Sequence, residues 1–335
     1  MYNADVIAGC PFAARPWAVV SFYGLPIQIV KLFPSSYEDG WFFTPKSDGE
    51  KELTEHFPQA QIDEDPLYNC THLKELYLKA NPNYKGAISV PLLWDKVNET
   101  AVSNSSLGIS QMLATQMKCL ATRNQDVDLF PITNCGCDDN QDGDPKTKEM
   151  IKDIHSRISV YCYKLNASTL AGKERDQMID RYYDTLTEYQ TKLQQLNDST
   201  GDDNKKQKLE NGAVSSNGSD SNGKSSSITK FLLETSTPTF VDILLWISLI
   251  RYDLAYQWRF GLGKYSIRED YPTLQNFIQC MMSPKFGLCD TVLPRDIMAL
   301  YFMTLNFSIQ GKGRALPHVP SSWMKQIYTT NGHSN

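Results

Sequence analysis

The sequence predicts an α/β domain over residues 1–115, a linker over 116–149 and an all-helical domain over 150–335. Three observations carry this reading. Strand-like and helix-like segments alternate through the first part of the chain. The strand signal stops near residue 100. Beyond the linker, apolar residues recur at the spacing of a helix face. At 335 residues the chain is long enough to bury two cores.

Residues 4–9 read as a short strand running into Cys10-Pro11. Pro11 suits the first turn of a helix, where its missing N–H costs nothing. Trp17, Val20, Tyr23 and Leu25 then fall mostly on one helical face, and Gly24 marks the helix end. Pro16 interrupts that pattern by removing one early hydrogen bond. Ile27 to Leu32 reads as a strand, His72 to Lys79 as a helix and Ile88 to Leu93 as another strand. This order is that of a thioredoxin-like unit.

In the second half, Ile179, Tyr182, Tyr183, Leu186, Tyr189, Leu193 and Leu196 recur at helical spacing. Thr239-Phe240-Val241-Asp242 has the form of a capping box, and the apolar helix it opens, through Tyr252, is expected in the core. Residues 197–229, rich in Asn, Asp, Ser, Gly and Lys, read as a disordered insertion, because they bury too little surface to offset ordering entropy. Lys205-Lys206-Gln207-Lys208 within it reads as a solvated charge run.

Hydrophobic content of 41% and charged content of 21% are those of a globular protein. A net charge of −5 argues against a nucleic-acid partner, whose phosphates require a basic footprint. No basic segment followed by an apolar stretch opens the sequence, and the apolar run Ile243 to Ile250 is too short to cross a bilayer. The expected location is therefore the cytoplasm, away from membranes, where cysteines remain thiols.

Cys10 is the strongest chemical candidate. A cysteine between a strand and a helix places its sulfur at the helix N-terminus, where unpaired N–H groups and the dipole favour the thiolate. Position 13, where a dithiol enzyme would carry its resolving cysteine, holds Ala13, so an external thiol must resolve Cys10. On position alone, a buried structural cysteine is an equal alternative. Val90-Pro91 has the place of the cis-proline that lies beside the cysteine in thioredoxin-like folds.

Several runs together resemble the Xi-class glutathione transferases, the glutathionyl-hydroquinone reductases, which are related to the omega class. They are Cys10-Pro11-Phe12-Ala13-Ala14-Arg15, Gly40-Trp41-Phe42-Phe43, Asp65-Pro66-Leu67-Tyr68, Leu73 to Tyr84, and Val90-Pro91-Leu92-Leu93-Trp94-Asp95-Lys96. Asp242-Ile243, Leu249 to Asp253 and Asp270 to Leu274 continue the likeness into the second domain. The resemblance implies the glutathione transferase fold, usually dimeric, with glutathione as co-substrate and no metal. It implies that Cys10 attacks the sulfur of a glutathionyl-hydroquinone, or of a related small aromatic or disulfide substrate, and becomes glutathionylated. A second glutathione then releases the disulfide. Tyr163 and Tyr301 fall on family tyrosines that contact the hydroquinone, although their spacing alone does not set them apart from ordinary core or surface residues. Phe12, Trp41, Val90, Pro91, Ser105 and Ser106 fall on glutathione-binding positions.

The sequence departs from the family pattern in three places. Its asparagine-glutamate-serine-serine stretch stands here as Asn104-Ser105-Ser106-Leu107, so the carboxylate that would meet the ligand's ammonium is replaced by Ser105. A lost charge-assisted hydrogen bond costs roughly 1.5–3 kcal/mol, about tenfold or more in affinity. The motif histidine is Ala14 and its tryptophan is Phe12. These losses favour the alternative of a non-catalytic interaction module; retention of Cys10, Trp41, Tyr163 and Tyr301 favours the enzyme. Asp138 to Glu149 matches a calcium-loop pattern, but Pro145 at its usual hydrophobic position and the lack of an entering helix identify an acidic loop. Cys135-Gly136-Cys137 has no second Cys/His pair at zinc spacing.

Overall fold

The computed structural model describes residues 2–3, 10–34, 40–45, 51, 63–131, 144–167, 172–210 and 228–303. The strand expected at 4–9, the paired cysteines at 135–137 and the calcium-like loop at 138–143 lie outside them. Packing divides the chain into two units. One comprises Met1–Asp126, Leu254–Arg259 and Met282–Asn335; the other comprises Val127–Asp253 and Phe260–Met281.

In the first unit, β1 (Tyr2–Asn3) pairs in parallel with β2 (Val30–Lys31). Between them runs α1 (Pro11–Tyr23). β3 (Phe33–Pro34) and β4 (Trp41–Phe42) form an antiparallel pair, as do β5 (Leu93–Asp95) and β6 (Thr100–Ser103). α2 (Leu73–Ala80) precedes β5, and α3 (Ser106–Thr115) follows β6. The chain later returns to this unit with short helical turns at Pro284–Phe286 and Leu288–Thr291 and with α11 (Pro294–Met303).

The strands depart from expectation. The segment Ile27 to Leu32 is regular only at Val30–Lys31, and the strand expected from Ile88 begins only at Leu93. Pro91 has no N–H to give a ladder, which delays the strand. The strand signal does not end at residue 100, because β6 follows. Its four residues are half-exposed or exposed and show no buried alternating face, so no hydrophobic pattern announced it.

α1 behaves as its sequence requires. It runs through Pro16 and ends at Gly24, whose φ of 60° is the left-handed conformation of a helix stop, with the Leu25 N–H donating to the Val20 carbonyl at 2.9 Å. Ala18, Val19 and Phe22 of α1 are wholly buried, as are Ile109 and Leu113 of α3. The returning segment is fastened to α1 by a Phe22–Phe286 stack at 5.9 Å and by the Ser21 hydroxyl, which donates to the Gly287 carbonyl at 2.6 Å.

The second unit contains α4 (Pro145–Ile154), α5 (Tyr161–Ala167), α6 (Lys173–Glu210) and α7 (Phe240–Arg251). A π-helical turn at Tyr252–Tyr256 and α8 (Gln257–Arg259) carry the chain through the first unit, before α9 (Ile267–Asp270) and α10 (Pro272–Met281) complete the second. Every residue of α7 is buried, the polar Asp242, Ser248 and Arg251 along with its apolar majority. The capping box is present: the Asp242 carboxylate accepts from the Thr239 N–H and hydroxyl, both at 2.8 Å. Asp144 caps α4, its carboxylate accepting from the Thr147 N–H at 3.1 Å, and Pro145 occupies the first helical position.

The composition change at residue 197 does not end a helix. α6 continues to Glu210, which corrects the expectation of disorder from 197 onward. Asn197 itself is buried, and its side-chain carbonyl accepts from the backbone N–H groups of Thr229 at 2.7 Å and Lys230 at 2.9 Å. Its amide donates to the carbonyls of Leu193 at 2.8 Å and Lys230 at 3.1 Å. A polar residue counted with the insertion thus belongs to the packed unit, because a side-chain amide can satisfy buried backbone on both sides. Among the described residues no helix is long and apolar enough to cross a membrane, and no cluster of metal-ligating side chains forms.

Candidate active site

The site is organised by the start of α1. Cys10 is its N-cap in extended conformation (φ −67°, ψ 111°), its carbonyl accepting from Ala14 N–H at 3.0 Å. The side chain makes no capping hydrogen bond. It is half-buried and is not in a disulfide. The first helical N–H groups lack intrahelical acceptors, an arrangement that favours a thiolate. Ala13 is buried behind it.

Cys10 and Trp41 both pack against a cluster containing Ala13, Val30, Leu32, Val90 and Leu92. The Val90-Pro91 bond is cis, and both residues are buried. Trp41, half-buried, is paired through the strand with Pro34. Gly40, at φ 75°, allows this approach: a Cβ there would lie 2.6 Å from the Ile88 Cγ2 and 2.7 Å from its carbonyl oxygen. Gly40→Ala is therefore expected to destabilise the protein by about 2 kcal/mol, combining left-handed strain with overpacking. A urea midpoint unchanged from wild type would refute that.

The loop before the cis bond is fixed from two sides. The Tyr77 hydroxyl donates to the Ser89 carbonyl at 2.7 Å, and the Asn104 amide donates to the Ser89 hydroxyl at 3.2 Å. Burial raises the pKa of Tyr77, keeping it a donor. Asp65, buried, accepts from the N–H groups of Leu67, Tyr68 and Cys70 and so shapes the turn ahead of α2.

At the start of α3, Ser105 is the N-cap, its hydroxyl accepting from Gly108 N–H at 3.2 Å. No acidic residue stands in the first turn of that helix. The Ser106 hydroxyl accepts from the Arg15 guanidinium at 3.1 Å. Arg15 is 1% exposed, with its guanidinium carbon 4.7 Å from the centre of the Phe12 ring. Phe12 and Ser106 are thereby joined through a residue to which the sequence assigned no role, as were Tyr77 and Asn104 through Ser89. The only signal for Arg15 was its place at the end of the cysteine motif.

The two tyrosines occupy different surroundings. Tyr163, half-buried on α5, packs against Phe260 at 5.2 Å in the second unit. Tyr301, on α11 in the first unit, is wholly buried, and its hydroxyl donates to the Tyr256 hydroxyl at 3.3 Å.

No family model matches the chain. It is similar to the glutathionyl-hydroquinone reductase YqjG of Escherichia coli, at 26% identity over 303 residues, covering 90% of this chain and 74% of the relative. It is also similar to the glutathione S-transferase omega-like 2 of Schizosaccharomyces pombe, at 27% identity over 291 residues and coverages of 83% and 72%. Among solved structures, a glutathione transferase Xi from Phanerochaete chrysosporium superposes with a TM-score of 0.67 at 23% identity, covering 91% of this chain and 80% of that one. The glutathione-bound structure of E. coli YqjG superposes with a TM-score of 0.64 at 25% identity, with coverages of 90% and 78%. The fold is that of the glutathione transferases.

Proposed function

We propose that this divergent homologue of the Xi-class glutathione transferases, related also to the omega-like ones, is a glutathione-dependent reductase using Cys10 as its single nucleophile. The observation that carries the reading is Cys10 at the N-terminus of α1, half-buried and packed, like Trp41, against the cluster that holds Val90, with Ala13 where a second thiol would stand.

The Cys10 thiolate attacks the sulfur of a glutathionyl-hydroquinone. The sulfur–carbon bond breaks, its electron pair goes to the ring carbon, and that carbon takes a proton. Hydroquinone leaves and Cys10 carries a glutathione disulfide. A second glutathione thiolate attacks that disulfide, releasing GSSG and restoring the thiolate. The ring is reduced by the electrons of two thiols, which end as one disulfide. Tyr163 and Tyr301 are assigned to the hydroquinone, where a phenol supplies a hydrogen bond or a proton.

Glutathione is assigned to Trp41, the backbone of Val90 beside Pro91, Phe12 and the start of α3. There Ser105 and Ser106 meet its γ-glutamyl carboxylate, with the helix dipole supporting the negative charge. Reduced affinity follows from the lack of an acidic side chain for the ammonium. This same absence favours a second reading, a glutathione transferase-like module that binds partners without catalysis.

Incubation with GSSG followed by intact-mass measurement separates the two. The enzyme reading expects one glutathione adduct, mapped to the Cys10 peptide and removed by excess GSH. A folded protein with no adduct at Cys10 supports the module.

A further inference from the structure

We propose that Arg15 is a positioning residue that holds the start of α3 in register with the Cys10 helix, so that the sulfur and carboxylate ends of a bound thiol meet the protein at a fixed spacing. The proposal rests on the glutathione reading above.

Arg15 lies five positions after Cys10 on α1, about 7.5 Å along the helix axis. It is 1% exposed, an unusual place for a guanidinium, since burying a cation is costly unless its donors are used. One donor is used on Ser106, the first residue of α3, and the guanidinium carbon lies over the Phe12 ring. The side chain therefore touches two residues assigned to the ligand and springs from the helix that carries the nucleophile. Its bond also orients the Ser106 hydroxyl: with the oxygen accepting from Arg15, the O–H remains to be donated to a carboxylate.

The stiffness of this link matters because the ligand is bound at both ends. When sulfur and carboxylate are fixed separately, an error of about 1 Å between the two anchors can cost on the order of a hundredfold in rate. A guanidinium suits the task better than an ammonium, because its planar fork offers an aromatic ring a flat face and keeps several N–H donors at its edge. The Ser105 hydroxyl, by contrast, accepts from the Gly108 N–H within its own helix.

Full-length wild type, Arg15→Lys, Ser106→Ala and the double variant would be incubated with graded GSSG, and the rate of adduct formation followed by mass. Cys10 capture by iodoacetamide across pH would be measured in parallel, with the Cys10 peptide quantified. Each single variant is expected to raise the half-saturating GSSG concentration roughly tenfold. The double variant is expected to rise no further, and iodoacetamide capture to stay as in wild type. Ser106→Ala, at a partly exposed helix start, keeps the test open should Arg15→Lys fail to fold. Unchanged half-saturation, additive losses, or a parallel fall in iodoacetamide capture would each overturn the proposal, the last by exposing a merely structural role. A wild type that forms no adduct sinks the glutathione reading and the proposal together, whereas a normal wild-type adduct with unchanged variants sinks the proposal alone.

Discussion

Replacing Cys10 by serine is expected to lower glutathione-dependent reduction of a glutathionyl-hydroquinone by at least roughly a thousandfold, as removal of a nucleophile does elsewhere. A serine hydroxyl is not ionised near neutral pH, and it cannot form the mixed disulfide that the proposed mechanism requires. The loss is expected to be severe, and three of the other described thiols, Cys70, Cys119 and Cys162, are badly placed to substitute. Cys70, against the same apolar cluster, has its pKa pushed up to about 12, chiefly by burial and further by Asp65, which takes its backbone N–H at 3.0 Å. Only about one such thiol in 10⁵ is ionised at pH 7. Cys162 is wholly buried, and burial raises it as well. Cys119 is exposed but sits within a short helical turn at Lys118–Leu120 rather than at the start of a helix. The check is turnover of Cys10→Ser beside Cys70→Ser. Activity surviving the first and lost in the second would reassign the nucleophile to Cys70.

The largest effect on stability is expected at Asp242. Its carboxylate is wholly buried and accepts from the Leu232 N–H at 3.0 Å as well as from the Thr239 N–H and hydroxyl. Asp242→Ala would leave those donors buried without this acceptor and would remove the cap of the central helix, at a cost of about 4 kcal/mol. That is a large part of the 5–15 kcal/mol typical of a folded domain. A urea midpoint within error of wild type would refute it.

The same group should make stability depend on pH. Burial, outweighing the hydrogen bonds from Leu232 and Thr239, pushes its pKa up to about 6. The folded state therefore holds a proton that the unfolded state, with an ordinary aspartate near 4, gives up first. The stabilisation from proton binding is fully present below about pH 4 and is lost as pH rises through about 6, a change of roughly 3 kcal/mol. Asp242→Asn, which does not titrate, is expected to flatten that portion of the stability–pH profile. A profile identical to wild type would show that another group sets it.

The parts of the molecule most legible in sequence were those governed by local chemistry. Gly24 announced a left-handed helix stop, Thr239 and Asp242 a capping box, and the tyrosine and leucine spacing of 179–196 the buried face of α6; Tyr182, Tyr183, Leu186, Tyr189 and Leu193 are all buried. The strands were less legible because they are short and their pairing is not local. β6 carries no buried face, and the Val90–Pro91 segment is apolar like a strand yet cannot begin one until Leu93. In the candidate site, individual positions such as Cys10, Trp41 and Ser106 were visible as motif residues. The ties among them were not, since Arg15 to Ser106 spans 91 positions and Asn104 to Ser89 spans 15. A motif displays residue types; which donor reaches which acceptor is decided by packing that no local pattern records.

The Asn197 clamp separates the length of this chain from its architecture. One side chain binds the backbone at Leu193 on one side and at Thr229 and Lys230 on the other, so two stretches far apart in sequence are held at a single knot. Closing a flexible loop between two anchors depends only logarithmically on its length, with each doubling costing about 0.6 kcal/mol. Residues could be gained or lost between the two sides of the knot over evolutionary time with little thermodynamic resistance, provided Asn197 and its partners stayed. The position is a natural port in the fold, where a protein engineer could graft an epitope, a sensor or a whole domain while leaving Cys10 and the residues around it, at the other end of the sequence, unchanged.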